Sequence, residues 1–320
     1  MMARLVSILR SSWLRRAFVV GALAAAVWAV ASQWDQVQAA LTSIPPSTVV
    51  LSFVVGVAYV FVTMLSWRAV LKDMGSKVSI RQAGRLFFVS QLGKYLPGGV
   101  WNFLAVAEMG ADLHIPRRRS ISVLMVSILV SIVMAMILAS AALLLGPQEL
   151  TDQYGWVGWT LPLFMVVLLP PVLNRLLAAA LRVVRRPALE KPLSIGGVGA
   201  AAAWALLAWM LAGIQLWLLI SALGADATVE SFALAVGGYA LAWTVGFLVI
   251  VVPAGVGVRE AVLALVLSGH LGTGAVVVTV LLSRVLLTAA DLVLGVVAAA
   301  DARRRLEAVR DRRAAEDSQG

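Results

Sequence analysis

Apolar runs long enough to enter a bilayer alternate along the chain with short polar segments that either carry several Lys and Arg or carry none. The runs 17–31, 49–67, 121–145, 156–173, 195–223 and 275–300 read as six membrane spans. Two further apolar segments, 83–113 and 231–267, are interrupted near their middles by Pro97-Gly98-Gly99 and by Pro253-Ala254-Gly255-Val256-Gly257. Proline removes an amide donor and glycine disfavours helix, so each interruption predicts a break. On either side of the first break, about 14 residues of helix reach roughly 21 Å, short of the ~30 Å hydrocarbon core. The segment reads as a re-entrant hairpin or as two tilted full spans; in both cases it leaves the membrane on the side it entered.

The polar segments orient these elements. Of the 26 Lys and Arg, 23 lie in segments 1–16, 68–85, 117–119, 174–192 and 303–320, and the other three (Lys94, Arg259, Arg284) lie inside apolar segments. Segments 33–47, 146–155, 224–230 and 268–274 hold none. The positive-inside rule places the first set and both termini in the cytoplasm and the second set outside. A cleaved leader ending at Ala29-Val30-Ala31 is the competing reading of the first run. The first broken segment then opens from the cytoplasm and the second from outside. Two halves, 48–145 and 195–300, repeat span, broken segment and span in opposite orientation, joined by the 156–173 span, in which Pro162, Pro170 and Pro171 predict kinks. Segment 174–192 is predicted to be an amphipathic helix on the inner leaflet. At an offset of 156, Pro97, Gly99 and His114 meet Pro253, Gly255 and His270. The prediction is an inverted-topology repeat within one transmembrane domain, 1–300, followed by a charged, partly disordered cytoplasmic tail, 301–320.

Composition sharpens this into an all-α polytopic membrane protein: 61% of residues are hydrophobic, 13% are charged and mean hydropathy is +0.94. The absence of Cys excludes disulfides and thiolate chemistry, and two His argue against a histidine-rich metal centre. No Walker loop, dinucleotide fingerprint or Ser-His-Asp order occurs, so no catalytic residue, metal site or cofactor is predicted. The net charge of +10 follows from the cytoplasmic segments and does not point to nucleic acid.

Broken helices leave backbone groups unpaired, which a membrane tolerates only where protein or a polar cavity satisfies them. Half-helices starting near Val100 and Val256 would aim their N-terminal N–H groups at mid-membrane, where they suit an anion such as phosphate. Lys94, Arg259 and Arg284, with Tyr95 and Asn102 beside the first break, form the candidate headgroup site. In the alternative reading Lys94 snorkels to the interface and Arg259 pairs with an acid, Glu260 being the neighbour tested for that role. Glu108, Glu260 and Asp291 are either proton-coupling acids or structural partners. Arg284 and Asp291, seven apart, share a helix face but lie about 10 Å apart along its axis, too far to touch. Trp101 is expected to pack or to anchor at the interface. His114 and His270 are expected in loops.

The stretches Gln91-Leu92-Gly93-Lys94-Tyr95-Leu96-Pro97-Gly98-Gly99-Val100-Trp101 and Pro253-Ala254-Gly255-Val256-Gly257-Val258-Arg259-Glu260-Ala261 resemble the lysylphosphatidylglycerol synthase transmembrane-region family, over about 49–300. The resemblance implies a flippase-like domain that moves a lipid, or a lipid-linked sugar, between leaflets. Its partners would be membrane lipids and a glycosyltransferase or lipid-modifying enzyme. No soluble aminoacyltransferase domain follows the last span, so lipid aminoacylation is not expected of this chain. The competing expectations are a non-transporting scaffold that recruits a glycosyltransferase and, behind it, an integral membrane transferase.

Overall fold

The computed structural model describes residues 34–95, 101–183, 191–249 and 255–317. The first predicted span, 17–31, lies outside the described residues, as do Pro97, Gly98, Gly99 and Pro253. The architecture is all-helical: α1 (Trp34–Ser43), α2 (Pro46–Asp73), α3 (Ile80–Gln91), a 3-10 turn (Leu92–Tyr95), α4 (Trp101–Ala111), α5 (Arg117–Leu145), α6 (Gln148–Gly158), α7 (Leu161–Val167), α8 (Pro170–Val183), α9 (Ile195–Ala222), α10 (Val229–Leu248), α11 (Val258–Leu267) and α12 (Thr273–Asp317). Among the described residues five helices are long and apolar enough to cross a membrane, Pro46–Asp73, Arg117–Leu145, Ile195–Ala222, Val229–Leu248 and the Thr273–Ala302 part of α12; the bent run from α6 to α8 would make six.

The core forms where α2 packs along α9, α5 along α10, and α12 closes against α2, α3, α9 and α11. Small residues permit the close approaches. A Cβ on Gly237 of α10 would lie 2.2 Å from Ala142 of α5, and one on Gly56 of α2 would lie 3.1 Å from Leu287 of α12. In a lipid solvent such packing, more than hydrophobic expulsion, holds helices together.

The two ends of the bundle differ chemically. At one, Arg68 donates to the Val78 carbonyl, Arg119 to the Ser76 hydroxyl, Lys191 to the Asp73 carbonyl, and Arg81 pairs with Asp301. Asp73 also receives Ser194 N–H at 2.9 Å and Ser194 O–H at 2.6 Å, so an acid sits at the positive start of α9. The Arg119–Ser76 contact brings together the entry and exit of the α3–α4 segment. At the opposite end Val37, Ile44 and Val278 cluster with Ala222 and Leu223. There Asp226, Thr228 and Glu230, before α10 and at its start, line a cavity of about 290 Å³ with Leu267, His270 and Leu271, at the end of α11 and just after it. The α10–α11 segment therefore starts and finishes at the end opposite to α3–α4.

Several predicted boundaries change. Residues 33–47, expected to be a polar loop, contain α1, whose Val37 is buried against α12. The expected loop 146–155 is largely α6, and the expected span 156–173 is three short helices. The helix run Tyr154–Val167 meets Pro170–Ala179 at 87°, because Pro170 and Pro171 cannot continue the preceding hydrogen bonds. The amphipathic segment 174–192 is represented by α8, whose Asn174 side chain bridges to the Leu193 backbone; residues 184–190 lie outside the described residues. The halves of the second broken segment are unequal: α10, with 20 residues, is about 30 Å long and qualifies as a crossing helix, whereas α11 has 10. The tail, expected to be partly disordered, is helical as far as Asp317.

These contacts fix which loops share a face. Single cysteines at Asp226 and Thr273 are expected to react with an impermeant maleimide from one side of the membrane, and those at Lys77 and Arg118 only from the other. Labelling of Arg118 and Thr273 from the same side would contradict the arrangement.

Candidate functional site

Both broken segments converge on α12. The apolar part of that helix, Thr273–Ala302, has its midpoint between residues 287 and 288. Arg284 and Asp291 lie on either side of it, each about 5 Å away along the axis. They do not pair with each other. Each holds the broken segment that arrives from its own side.

In the first segment α3 opens with a capping box between Ser79 and Gln82 and gives way at Leu92 to the 3-10 turn. A Cβ on Gly93 would lie 2.6 Å from the Asn102 nitrogen, so only glycine lets the turn sit against the start of α4. Leu92 packs over Gly295 of α12. This seating carries Lys94 to Asp291, with Nζ 2.7 Å from Oδ2, and the Tyr95 hydroxyl donates to the same oxygen at 2.6 Å. Asp291 is buried, while one third of the Lys94 side chain is exposed.

In the second segment Gly255 and Gly257 have φ of 65° and 86°, in the left-handed region open to glycine. A Cβ on Gly255 would also lie 2.8 Å from the Gly246 carbonyl oxygen. The Gly257 N–H donates to Glu260 Oε2 at 2.6 Å, capping α11, and Glu260 Oε1 lies 3.4 Å from Nε of Arg284. Arg259 does not follow the alternative expectation of a partner in Glu260. Its guanidinium stacks 4.4 Å from the Tyr239 ring centre and donates to the Tyr239 hydroxyl. Tyr239 in turn packs on Tyr59 and Trp209, at ring separations of 6.4 and 6.1 Å.

These groups gather along α12 and α11: Lys94 and Tyr95 on Asp291, Glu260 on Arg284, and Arg259 on Tyr239. Lys94, Arg259 and Arg284 outnumber Asp291 and Glu260 by one charge. Arg259, Glu260, Leu263, Val280, Ser283 and Arg284 line a small cavity of about 10 Å³, space for roughly one water. Behind it the Ser283 hydroxyl donates to Gln215 Oε1 at 2.9 Å, and the Nε2 of the fully buried Gln215 finds no partner among the described residues.

Other sequence candidates lie elsewhere. Glu108 pairs with Arg117 at 2.7 Å, both side chains more than half exposed, so it is a surface ion-pair partner and not a buried acid. Asn102 Oδ1 accepts from the Phe103 N–H, and Trp101 is exposed. His114, with φ 58°, belongs to the turn after α4, whereas His270 lines the cavity at the opposite end. Among the described residues no group of His, Asp or Glu could hold a metal. Sequence reasoning missed Tyr239, Tyr59 and Gln215. Gln215 had a signal, because apart from Ser221 it is the only polar side chain in the run 195–222.

The family model described as the lysylphosphatidylglycerol synthase TM region matches residues 13–295. No curated protein matches the chain.

The second break makes a stability prediction. Gly255→Ala puts a side chain at positive φ against a carbonyl and is expected to destabilise by about 1–3 kcal/mol. Gly199→Ala, in open space on α9, is expected to be neutral or to stabilise by up to about 1 kcal/mol. Thermal unfolding in detergent compares them; equal midpoints would remove the constraint assigned to Gly255.

Proposed function

From its membership of the lysylphosphatidylglycerol synthase transmembrane-region family, to which this chain belongs over residues 13–295, we propose that it moves an anionic lipid between leaflets. The ligand is a phospholipid or a polyprenyl-phosphate-linked sugar, carried without chemical change. The observation that carries the reading is the surplus of one positive charge at the middle of α12, where water is scarce and an unbalanced cation is costly unless a ligand balances it.

On this reading the broken segments are re-entrant hairpins inserted from opposite faces, and the basic end of the bundle is cytoplasmic, with both termini there and the chain in the cell membrane. Contacts at the two ends support it, since each segment starts and finishes at one end. Alternating access would come from rocking one hairpin set against the other around the fixed charges. Lys94, Arg259 and Arg284 hold the phosphate, Tyr95 orients Asp291, and Asp291 and Glu260 remain the candidate coupling acids.

The scaffold reading draws on α8, turned 87° from the preceding helices and carrying Arg175 and Arg182, which gives a glycosyltransferase or lipid-modifying enzyme a surface to dock against. On that reading purified protein moves no lipid.

Proteoliposomes with fluorescent lipids test the choice. Arg259→Gln keeps polarity and much of the length but deletes the charge and its fork of donors. It is expected to slow translocation of an anionic lipid roughly tenfold while sparing a neutral analogue, since the lost charge acts where water is scarce. A folded Arg259→Gln that moves both lipids as before removes Arg259 from the site. Wild-type protein that moves neither lipid favours the scaffold.

A further inference from the structure

The two ion pairs on α12 are not equivalent. Glu260 is held twice, by Arg284 and by the Gly257 N–H it caps, and both partners of the Arg284 pair are about one-fifth exposed. That carboxylate shapes the break and cannot leave without uncapping α11. Asp291 caps nothing. It touches Lys94 and the Tyr95 hydroxyl through a single oxygen, and Lys94 keeps one third of its side chain exposed. An ammonium has three donors and no fixed fork, so it can exchange one oxygen anion for another without changing its own geometry.

We propose that Asp291 is the resting counter-ion of the site: it holds Lys94 while the site is empty, and the phosphate of an incoming lipid replaces it there. The proposal rests on the anionic-lipid reading above and adds a rule of selectivity. A carboxylate and a phosphodiester each offer one negative charge spread over two oxygens. Three cations and two carboxylates leave room for one further negative charge, so the site accepts a phosphodiester and disfavours a doubly charged phosphomonoester. When displaced, Asp291 keeps the Tyr95 hydroxyl as its donor, and of the two polar ties between this turn and α12 only that hydrogen bond remains. Binding of ligand thus loosens the first hairpin from the helix that clamps both segments, and Asp291 returns to Lys94 when the ligand leaves. Asp291 is a positioning residue on this account, since it competes with the ligand instead of touching it.

The test uses the full chain, purified in detergent and titrated with phosphatidylglycerol as the phosphodiester, phosphatidic acid as the phosphomonoester and phosphatidylcholine as the lipid without net charge. Asp291→Asn preserves size and an acceptor for Tyr95 but frees Lys94. It is expected to bind phosphatidylglycerol roughly tenfold more tightly, to gain more for phosphatidic acid, and to leave phosphatidylcholine unchanged. In proteoliposomes its turnover is expected to fall, because nothing displaces the ligand from Lys94. Folded Asp291→Asn with unchanged or weaker affinity for phosphatidylglycerol overturns the proposal while leaving the lipid-transport reading standing. The double variant Lys94→Gln with Asp291→Asn keeps the net charge and removes any unpaired acid, so it serves even where the single variant does not fold. It is expected to bind phosphatidylglycerol roughly tenfold more weakly than wild type; wild-type affinity would make the pair a structural strut and overturn the proposal. Wild-type protein that binds no anionic lipid overturns the transport reading itself, and this proposal with it.

Discussion

A backbone that leaves the helical conformation inside a membrane must find its hydrogen bonds in the protein, since lipid offers none. That constraint organises the described structure around α12. The second break is closed by Glu260 capping Gly257 and by the fit of Gly255 against the Gly246 carbonyl, and Arg284 keeps Glu260 in place. The turn before the first break is seated by Gly93 against Asn102 and by Leu92 over Gly295, with Asp291 binding Lys94 and Tyr95. Charged residues that would be a liability in an apolar helix are here the means by which irregular backbone is held. Most of the cluster is thus committed to the fold, and Arg259 is the cation paired with an aromatic ring instead of a carboxylate.

Much of this was legible in the residues. Long apolar runs, the position of Lys and Arg, and Pro-x-Gly interruptions are local signals whose cause is the bilayer itself. They located the broken segments and the three cations that the fold gathers. The axial separation of Arg284 and Asp291 follows from helix geometry, and the two residues do take different partners. What was not legible depends on contacts between distant elements. Tyr239 lies twenty residues from Arg259 and in another helix, and nothing local distinguishes it from a packing tyrosine. Glu108 takes the structural-partner role the sequence allowed, but its apolar neighbours gave no sign that the pair with Arg117 lies at the surface. The division of the 156–173 segment into consecutive short helices reflects how the chain turns at Pro170 and Pro171, whose presence predicted a kink but not an 87° bend. The helical tail was missed because a charged composition reads equally well as solvated helix or as disorder.

An anion site and a fold can share residues only if the fold survives a change of partner. In the proposed anion site that division runs between the two α12 pairs. One carboxylate is fixed by a backbone amide as well as by a cation, and the other is held by side chains alone. The aromatic group of Tyr59, Trp209 and Tyr239 backs the guanidinium of Arg259 with rings that accept a cation without neutralising it. Positive charge is therefore kept available without leaving the guanidinium bare in hydrocarbon.

Because α12 is one uninterrupted helix, any tilt of it acts on both charged attachments at once. They lie at equal distances on either side of the middle of its apolar part, one on each flank. A tilt of such a rod about its middle swings Arg284 one way and Asp291 the other, tightening one attachment while slackening its counterpart. The helix is a seesaw, and grip on one broken segment is gained at the expense of grip on the other.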